Sequence, residues 1–348
     1  MSLRVTAIGP GATIQDGGRH GLLRFGVTPA GPMDWVAMRT ANLALGNEAE
    51  AAAVEIPGGG LTVTCEERPV TVAFAGGDFS WKREGEPLPP AARVTLRPGG
   101  VLTAKAGARG SFAYLAVRGG VDVPEVMGSR STHMRSSLGG MNGRMLAAGD
   151  LLVPAQLSGP ASAEGAVEAP WLANHFEPVR ELTLIRAVAG PQDDYFGSEA
   201  LAIFFGEPFV LTPAADRMAY KFAGPRIAHV RDFNIVTDGV ALGAVQIAGD
   251  GQPIVQMADR APTGGYAKIA HVARADIGRL AQLRPGESCR FARVGVDEAR
   301  AALLALEDDV FATDSTIRPL TRSPTTESLL ATNLIGGVTD GTTPDERF

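Results

Sequence analysis

Turn-forming residues set the first limit on this chain. Its 348 residues include 43 glycines and 24 prolines, about one residue in five, where ordinary usage is about 12%. Glycine reaches positive φ without a Cβ clash and proline fixes φ, so a chain punctuated this densely turns back every few residues. Between the turns lie short alternating runs: LTVTC at 61–65, VTVAFA at 70–75, RVTL at 93–96 and FAYLAV at 112–117. LTLIRAV at 182–188, FNIV at 233–236, PIVQMA at 253–258 and CRFARV at 289–294 continue the series. Strands of this length and spacing build sandwiches or barrels. A parallel sheet would need a helix after almost every strand, and those helices are missing. The expected fold is mostly β with a few short helices.

Three helices stand out. Asp34 caps one whose face carries Trp35, Met38, Asn42 and Leu45, with Gly46 closing it. Asn42 sits on that apolar face and needs a hydrogen-bond partner. Asp276 is placed to cap a short helix through Ile277, Leu280 and Ala281, and Asp297 to begin DEARAALLAL. Length allows about two domains. The segment QLSGPASAEGAVEAP, 156–170, reads as a linker between a β-rich half at 1–155 and a second half at 171–306. Residues 307–348 read as a tail, either disordered or laid on another surface, with LLATNLI as its packing segment.

The net charge of −6 is the wrong sign for a nucleic-acid footprint. No apolar run approaches the roughly 20 residues that span a bilayer, and MSLRVTAIGP does not read as a signal peptide. A cytoplasmic location is expected. Cys65 and Cys289 lie in strand-like runs and read as buried free thiols. There is no GxxxxGK[ST], no HExxH, no CxxC and no GxSxG, so a P-loop, a local metal site and a hydrolase elbow have no signal. The histidines, His20, His133, His175, His229 and His271, are scattered.

Three Gly-flanked polar clusters remain. GPGATIQDGGRHGLLRFG at 9–26 presents Gln15, Asp16 and Arg19. It reads either as a loop that lets a ligand reach backbone N–H groups or as a turn whose Asp bonds its own backbone. GSRSTHMRSSLGGMNGRMLAAGD at 128–150 gathers Arg130, Ser131, Thr132, His133, Arg135 and Arg144. It is an anion site or a long polar surface loop. QIAGDGQPIVQMADRAPTGGYAKIA at 246–270 brings Asp259 and Arg260 to a strand end, followed by TGGY read as a tight turn. Asp259, Arg260, Thr263, Tyr266 and Gln246 together can hold a polar small molecule and move a proton; the plainer reading is a hairpin with an Asp-Arg surface pair worth under about 1 kcal/mol. GPQDDYF adds Gln192.

At these residues the sequence resembles the allophanate hydrolase subunit 2 family, also called the biotin-dependent carboxyltransferase or urea amidolyase-related family, and within it the C subunits of bacterial 5-oxoprolinase. The matching motifs are QDGGRHG at 15–21, GPMDWVAMRTANLALGN at 31–47, VEIPGGG at 54–60, RSTH at 130–133 and GGMNGRMLAAGD at 139–150. GPQDDYF, DRMAYKFAG at 216–224 and the 243–270 segment follow in order. The resemblance implies cyclophilin-like β-barrel subdomains. The family often has RSTY where His133 stands here, and ADRQTTGGYPKIA where this chain has ADRAPTGGYAKIA.

The resemblance also implies partners: an allophanate hydrolase subunit 1-type protein and, in 5-oxoprolinases, a LamB/YcsF-type subunit. The leading expectation is a subunit of a heteromeric, ATP-dependent amidohydrolase that opens a lactam C–N bond, with ATP bound in an unlisted mode or on a partner. In that reading Asp259 handles the proton, Tyr266 and Gln246 orient the substrate, Arg19 and Arg130 hold an anion, and Asp16 fixes its own loop. Gln15, Asn42, Ser131, His133, Gln192 and Thr263 complete the expected site. The alternatives are the carboxyltransferase half of a biotin-dependent urea carboxylase-like enzyme and a regulatory binder antagonising a histidine-kinase inhibitor.

Overall fold

Alternation along the short runs is realised as antiparallel ladders. The computed structural model describes residues 1–155, 163–172 and 182–320. A six-stranded sheet runs in the order Leu151–Leu152, Leu3–Ile8, Leu61–Cys65, Val101–Ala106, Phe79–Arg83, Glu86–Pro87. A seven-stranded sheet runs Thr13–Gln15, Ala53–Pro57, Phe112–Val117, Val70–Gly76, Ala92–Leu96, Gly165–Val167, Ile317–Pro319. A closed seven-stranded barrel follows: Thr183–Ala189, Lys268–Val272, Ala244–Ile247, Pro253–Gln256, Ala219–Ala223, Pro208–Ala215, Ser288–Arg293. Its first and last strands meet in parallel. A two-stranded ribbon, Asn234–Gly239 with Thr263–Tyr266, stands apart from the barrel ladder. The mostly β expectation holds.

The strands Val70–Gly76 and Phe112–Val117 are buried on both faces, and their period-2 geometry sorts the side chains. Val70, Val72, Phe74, Ala113, Leu115 and Val117 face the six-stranded sheet, where Phe74 stacks on Trp81 with centroids 4.0 Å apart. Ala73, Ala75, Phe112, Tyr114 and Ala116 face the helix Trp35–Leu43. Asp34 caps that helix as expected, its Oδ1 accepting from Val36 N and Ala37 N. Trp35, Met38, Asn42 and Leu45 are all buried. Past the helix the same core continues into the barrel interior, around Phe204, Phe209, Phe222 and Phe291. At about 1.5–3 kcal/mol for each large apolar side chain, this continuity ties the two halves together. Cys65 and Cys289 are buried free thiols, both pushed up by burial.

Several local readings differ. The Asp276 side chain does not cap the helix Ile277–Ala281; Arg186 captures the carboxylate at 2.6 and 3.0 Å. A charge-assisted fork outcompetes a neutral cap. The last helix starts at Val296, with Gly295 at its cap and Asp297 in its first turn, and runs to Phe311. It therefore crosses the expected boundary at 306, and Ile317–Pro319 then returns to the N-terminal half by pairing with Gly165–Val167. Residues 165–167 of the expected linker are thus an inserted strand. Residues 156–162 and the tail from 321, with LLATNLI, lie outside the described residues. TGGY is a strand, not a turn: Thr263 and Gly264 pair with Gly239 and Asp238.

Gln282 fastens the barrel side to the N-terminal side. Its Nε2 donates to Asp34 Oδ2 at 2.7 Å and to Phe112 O at 2.9 Å, and its Oε1 accepts from Ser111 N at 2.8 Å and Phe112 N at 3.0 Å. Replacing Gln282 with Ala strands these buried groups and should lower stability by about 2–4 kcal/mol. Urea unfolding of the full chain reads this, and a loss below about 0.5 kcal/mol contradicts the assignment.

Candidate active site

The densest buried charge lies where the two halves meet. Asp259 follows the barrel strand Pro253–Gln256, and Arg217 precedes Ala219–Ala223. Arg217 grips Asp259 with both arms of its fork, Nε to Oδ2 and Nη2 to Oδ1, each at 2.9 Å. The same guanidinium donates from Nη1 to Glu55 Oε1 and from Nη2 to Gly31 O, both in the N-terminal half. Glu55 Oε2 accepts from Met33 N at 2.8 Å and from the Tyr114 hydroxyl at 2.6 Å. The Tyr114 hydroxyl oxygen in turn accepts from Asp34 N at 2.8 Å. Burial alone would lower the Arg217 pKa, but Glu55 and Asp259 outweigh it and hold it above the ordinary arginine value. Burial and then the Glu55 charge push Tyr114 upward, keeping its hydroxyl a donor.

Against this knot lies the first glycine cluster. Gln15 ends the strand Thr13–Gln15 and bonds Thr13 Oγ1 and Thr132 O through Nε2. Asp16 fixes its loop: Oδ1 accepts from Gly18 N, Ser129 Oγ and Ser131 Oγ, and Oδ2 from Arg130 N. Burial would raise its pKa, yet these bonds together bring it below the usual aspartate value. Arg19 is only 1% exposed. Its Nε donates to Val126 O at 3.0 Å and its Nη2 to Ser131 O at 2.7 Å, while Nη1 is buried without a partner. Burial lowers Arg19 from the usual arginine value, and Asp16 and Asp259 act against that shift.

His133 completes this group. It is buried, and its Nε2 has no hydrogen-bond partner. Burial lowers its pKa; Asp259 opposes the shift, while Arg19, Arg217 and Arg135 reinforce it. Gln15, Asp16, Arg19, Ser131 and His133 are therefore brought together, with the Asp259 charge reaching both Arg19 and His133. Arg130 points its guanidinium elsewhere, to Val123 O at 2.9 Å and Glu125 Oε1 at 2.7 Å. Arg144 forks onto Asp150. Asn42 holds the turn after its helix, donating to Ala51 O at 2.8 Å and accepting from Asn47 Nδ2 at 2.9 Å.

The remaining expected residues form a second set at the ribbon. Gln192 Oε1 accepts from Lys268 N, and the buried Lys268 Nζ reaches Asp238 Oδ2 at 2.8 Å. Gln246 Oε1 accepts from Gln256 Nε2, leaving Gln246 Nε2 buried without an acceptor. That nitrogen lies 2.6 Å from where a Cβ on Gly264 would stand, which explains a glycine in mid-strand. Thr263 and Tyr266 are exposed, the Tyr266 ring 6.2 Å from that of Phe233. Sequence reasoning passed over Arg217, Glu55, Tyr114 and Lys268. The signal for Glu55 was present: one carboxylate inside the apolar strand AVEIP demands a buried partner.

Chemically, the junction offers a carboxylate held rigidly by an arginine, a neutral imidazole beside it, and a guanidinium nitrogen free to donate. Each Asp259 oxygen keeps a second lone pair for a ligand. This is equipment for polarising a carbonyl and moving a proton at its neighbour.

Known proteins share this sequence and fold. The family model described as carboxyltransferase domain, subdomain A and B, matches residues 25–293, which include every residue of the knot. The 5-oxoprolinase C subunit of Escherichia coli strain K12 is 35% identical over 301 residues, covering 86% of this chain and 94% of that protein. The urea amidolyase of Lachancea kluyveri is 31% identical over 88% of this chain but only 18% of its own length. The crystal structure of Kluyveromyces lactis urea carboxylase superposes with a TM-score of 0.83 at 28% identity, covering 93% of this chain and 31% of that one. The chain belongs to the carboxyltransferase-domain family, subdomains A and B, and is homologous to the C subunit of 5-oxoprolinase.

Proposed function

We propose that this protein is the C-type subunit of a heteromeric, ATP-dependent 5-oxoprolinase. The observation that carries this reading is the match to 94% of the Escherichia coli C subunit, together with a junction whose free polar atoms are suited to an amide carbonyl. In lactam opening, water adds to the carbonyl carbon, the C–N bond breaks, and the departing nitrogen takes a proton. Asp259, fixed by Arg217, orients and deprotonates the water. The proton taken by Asp259 passes to the departing nitrogen through His133, whose neutral ring takes it up on one nitrogen before releasing it, and Arg19 Nη1 donates to the carbonyl oxygen as charge develops there. ATP supplies the driving force for a poor electrophile. The described residues contain no glycine-rich phosphate loop entering a helix, so the reading assigns nucleotide binding to the subunit 1-type and LamB/YcsF-type partners, and no step on this chain runs through it.

A second reading has its own support. The matching family model is named for carboxyltransferase, and a urea carboxylase structure superposes over nearly the whole chain. There the same groups would hold urea while a biotin-borne carboxyl arrives. Reconstituting the chain with both partner types discriminates. The first reading expects ATP-dependent hydrolysis of 5-oxoproline by the complex and none by this chain alone. Biotin-dependent carboxylation of urea, or hydrolysis by the isolated chain, rejects it.

Asp259→Asn should lower kcat of the complex by at least about 100-fold with a smaller change in KM; an unchanged kcat removes Asp259 from the chemistry. His133 supplies a pH test. Its folded-state pKa lies below its ordinary 6.5, so the unfolded chain binds the proton more readily. Its contribution to stability is complete above about 6.5 and lost as pH falls toward the folded value. His229 and His271 are also lowered by burial and act in the same direction. Stability measured by urea unfolding should fall as pH drops below about 6.5, and His133→Gln should make that fall shallower. An identical slope in the variant excludes His133 as a titrating group.

A further inference from the structure

Beside the knot lies a cation that the amide chemistry above does not use. Arg260 is 5% exposed. Its Nε donates to Val240 O at 2.9 Å, and no other side-chain hydrogen bond or ion pair of Arg260 occurs among the described residues. The neighbouring Asp259 carboxylate is taken on both oxygens by Arg217. A second guanidinium, Arg274, stands close enough to Arg260 to act on its charge. Arg274 is exposed, and its Cζ lies over the Trp35 ring, 5.8 Å from the centroid. The same ring carries Arg39 on it at 4.9 Å. Arg39 pairs with Glu50 and Glu307, at 2.5 and 3.2 Å; both carboxylates also act on the Arg274 charge, but neither forms an ion pair with Arg274 or Arg260.

Such an arrangement is unfavourable by itself. A buried guanidinium usually finds a carboxylate, because its desolvation is otherwise uncompensated. Here the nearby carboxylate, Asp259, spends its hydrogen bonds on Arg217 and acts on Arg260 only through space. Burial, and then Arg274, push Arg260 down to about 10, with Asp259 acting against them. Val240, whose carbonyl fixes the Arg260 stem, also borders the space before Gly264, where Gln246 Nε2 lies buried without an acceptor. Anchoring by Nε leaves the two terminal NH2 groups as a fork of fixed direction, the geometry that suits a two-oxygen acceptor.

We propose that Arg260, with Arg274 beside it, forms a binding site for an oxyanion, the carboxylate or phosphate group of a small ligand. The identity of that anion rests on the amide-opening reading; the binding of an oxyanion does not. If the anion belongs to the substrate, the site fixes the ring while Asp259, one residue away in the chain, faces the bond to be broken. If it is phosphate, the site holds inorganic phosphate released by chemistry on a partner subunit.

Isothermal titration of the full chain, alone and with its partners, tests this with four probes: inorganic phosphate, 5-oxoproline, 2-pyrrolidinone, and sodium chloride at matched ionic strength. Saturable binding of phosphate or of 5-oxoproline is expected, with 2-pyrrolidinone, which lacks the carboxylate, binding far more weakly than 5-oxoproline. Arg260→Gln should weaken anion binding tenfold or more, and Arg274→Gln several-fold. Binding by 5-oxoproline but not phosphate names the substrate carboxylate as occupant, and the reverse names inorganic phosphate. The proposal is overturned if chloride reproduces the signal, if no oxyanion saturates, or if Arg260→Gln binds as the unsubstituted chain does. Should Arg260→Gln fail to fold, the exposed Arg274→Gln decides, and an unchanged affinity there rejects the site. Oxyanion binding without hydrolysis by the complex sinks only the functional reading. Hydrolysis with unaltered anion binding in both variants sinks only the site.

Discussion

The Arg217 guanidinium is the point on which the two halves and the site both depend. One cation bonds a carboxylate from the barrel, a carboxylate from the N-terminal sheet and a backbone carbonyl from the loop before the Trp35 helix. Desolvating three charges is expensive, and a buried pair is often no better than a well-packed apolar substitute. The arrangement persists because its members are bonded so fully: Glu55 and Asp259 both hold Arg217, and Tyr114 and Met33 N occupy the rest of Glu55. Removing one partner would leave a bare charge in the interior, at about 3–5 kcal/mol. What the network secures is placement. Asp259 cannot move relative to His133 and Arg19 without breaking bonds that also hold the halves together.

Glycine does its work here through backbone approach. Gly139, at φ +68°, lies where a Cβ would stand 2.1 Å from Ser131 O and 2.8 Å from Arg19 Nη2. Any side chain there would push out the carbonyl that binds Arg19. In the sequence these Gly-rich loops read either as ligand-approach loops or as plain turns; in the structure Gly139 lets one loop close around an arginine of another.

How much of this was legible follows from range. The strands could be read because alternation and turn residues are local signals: LTVTC and FAYLAV match their observed strands residue for residue. The Asp34 cap was readable for the same reason. Direction of a long side chain was not. Arg19 and Arg130 carry the same chemistry in similar Gly-flanked motifs, yet one guanidinium is enclosed beside the site and the other leaves toward Glu125. Asp276 failed as a cap because Arg186, 90 residues away, outcompeted the local donors. TGGY failed as a turn because it pairs with Asn234–Gly239, a segment the local signal does not include. Each miss has a partner distant in sequence.

The polarity of the junction narrows what it receives. Its acids are satisfied: Asp16 and Glu55 accept from donors on several sides, and Asp259 is forked by arginine. Near the site, Arg19 Nη1 is a buried donor without an acceptor, Gln15 Oε1 is a buried side-chain acceptor without a donor, and His133 Nε2 also has no partner among the described residues. An unpaired buried polar atom costs about 1–3 kcal/mol, so the set favours a ligand that brings both an acceptor and a donor. On the proposed readings, the O=C–N–H unit that lactam and urea share would supply both, an oxygen for Arg19 and an N–H for Gln15.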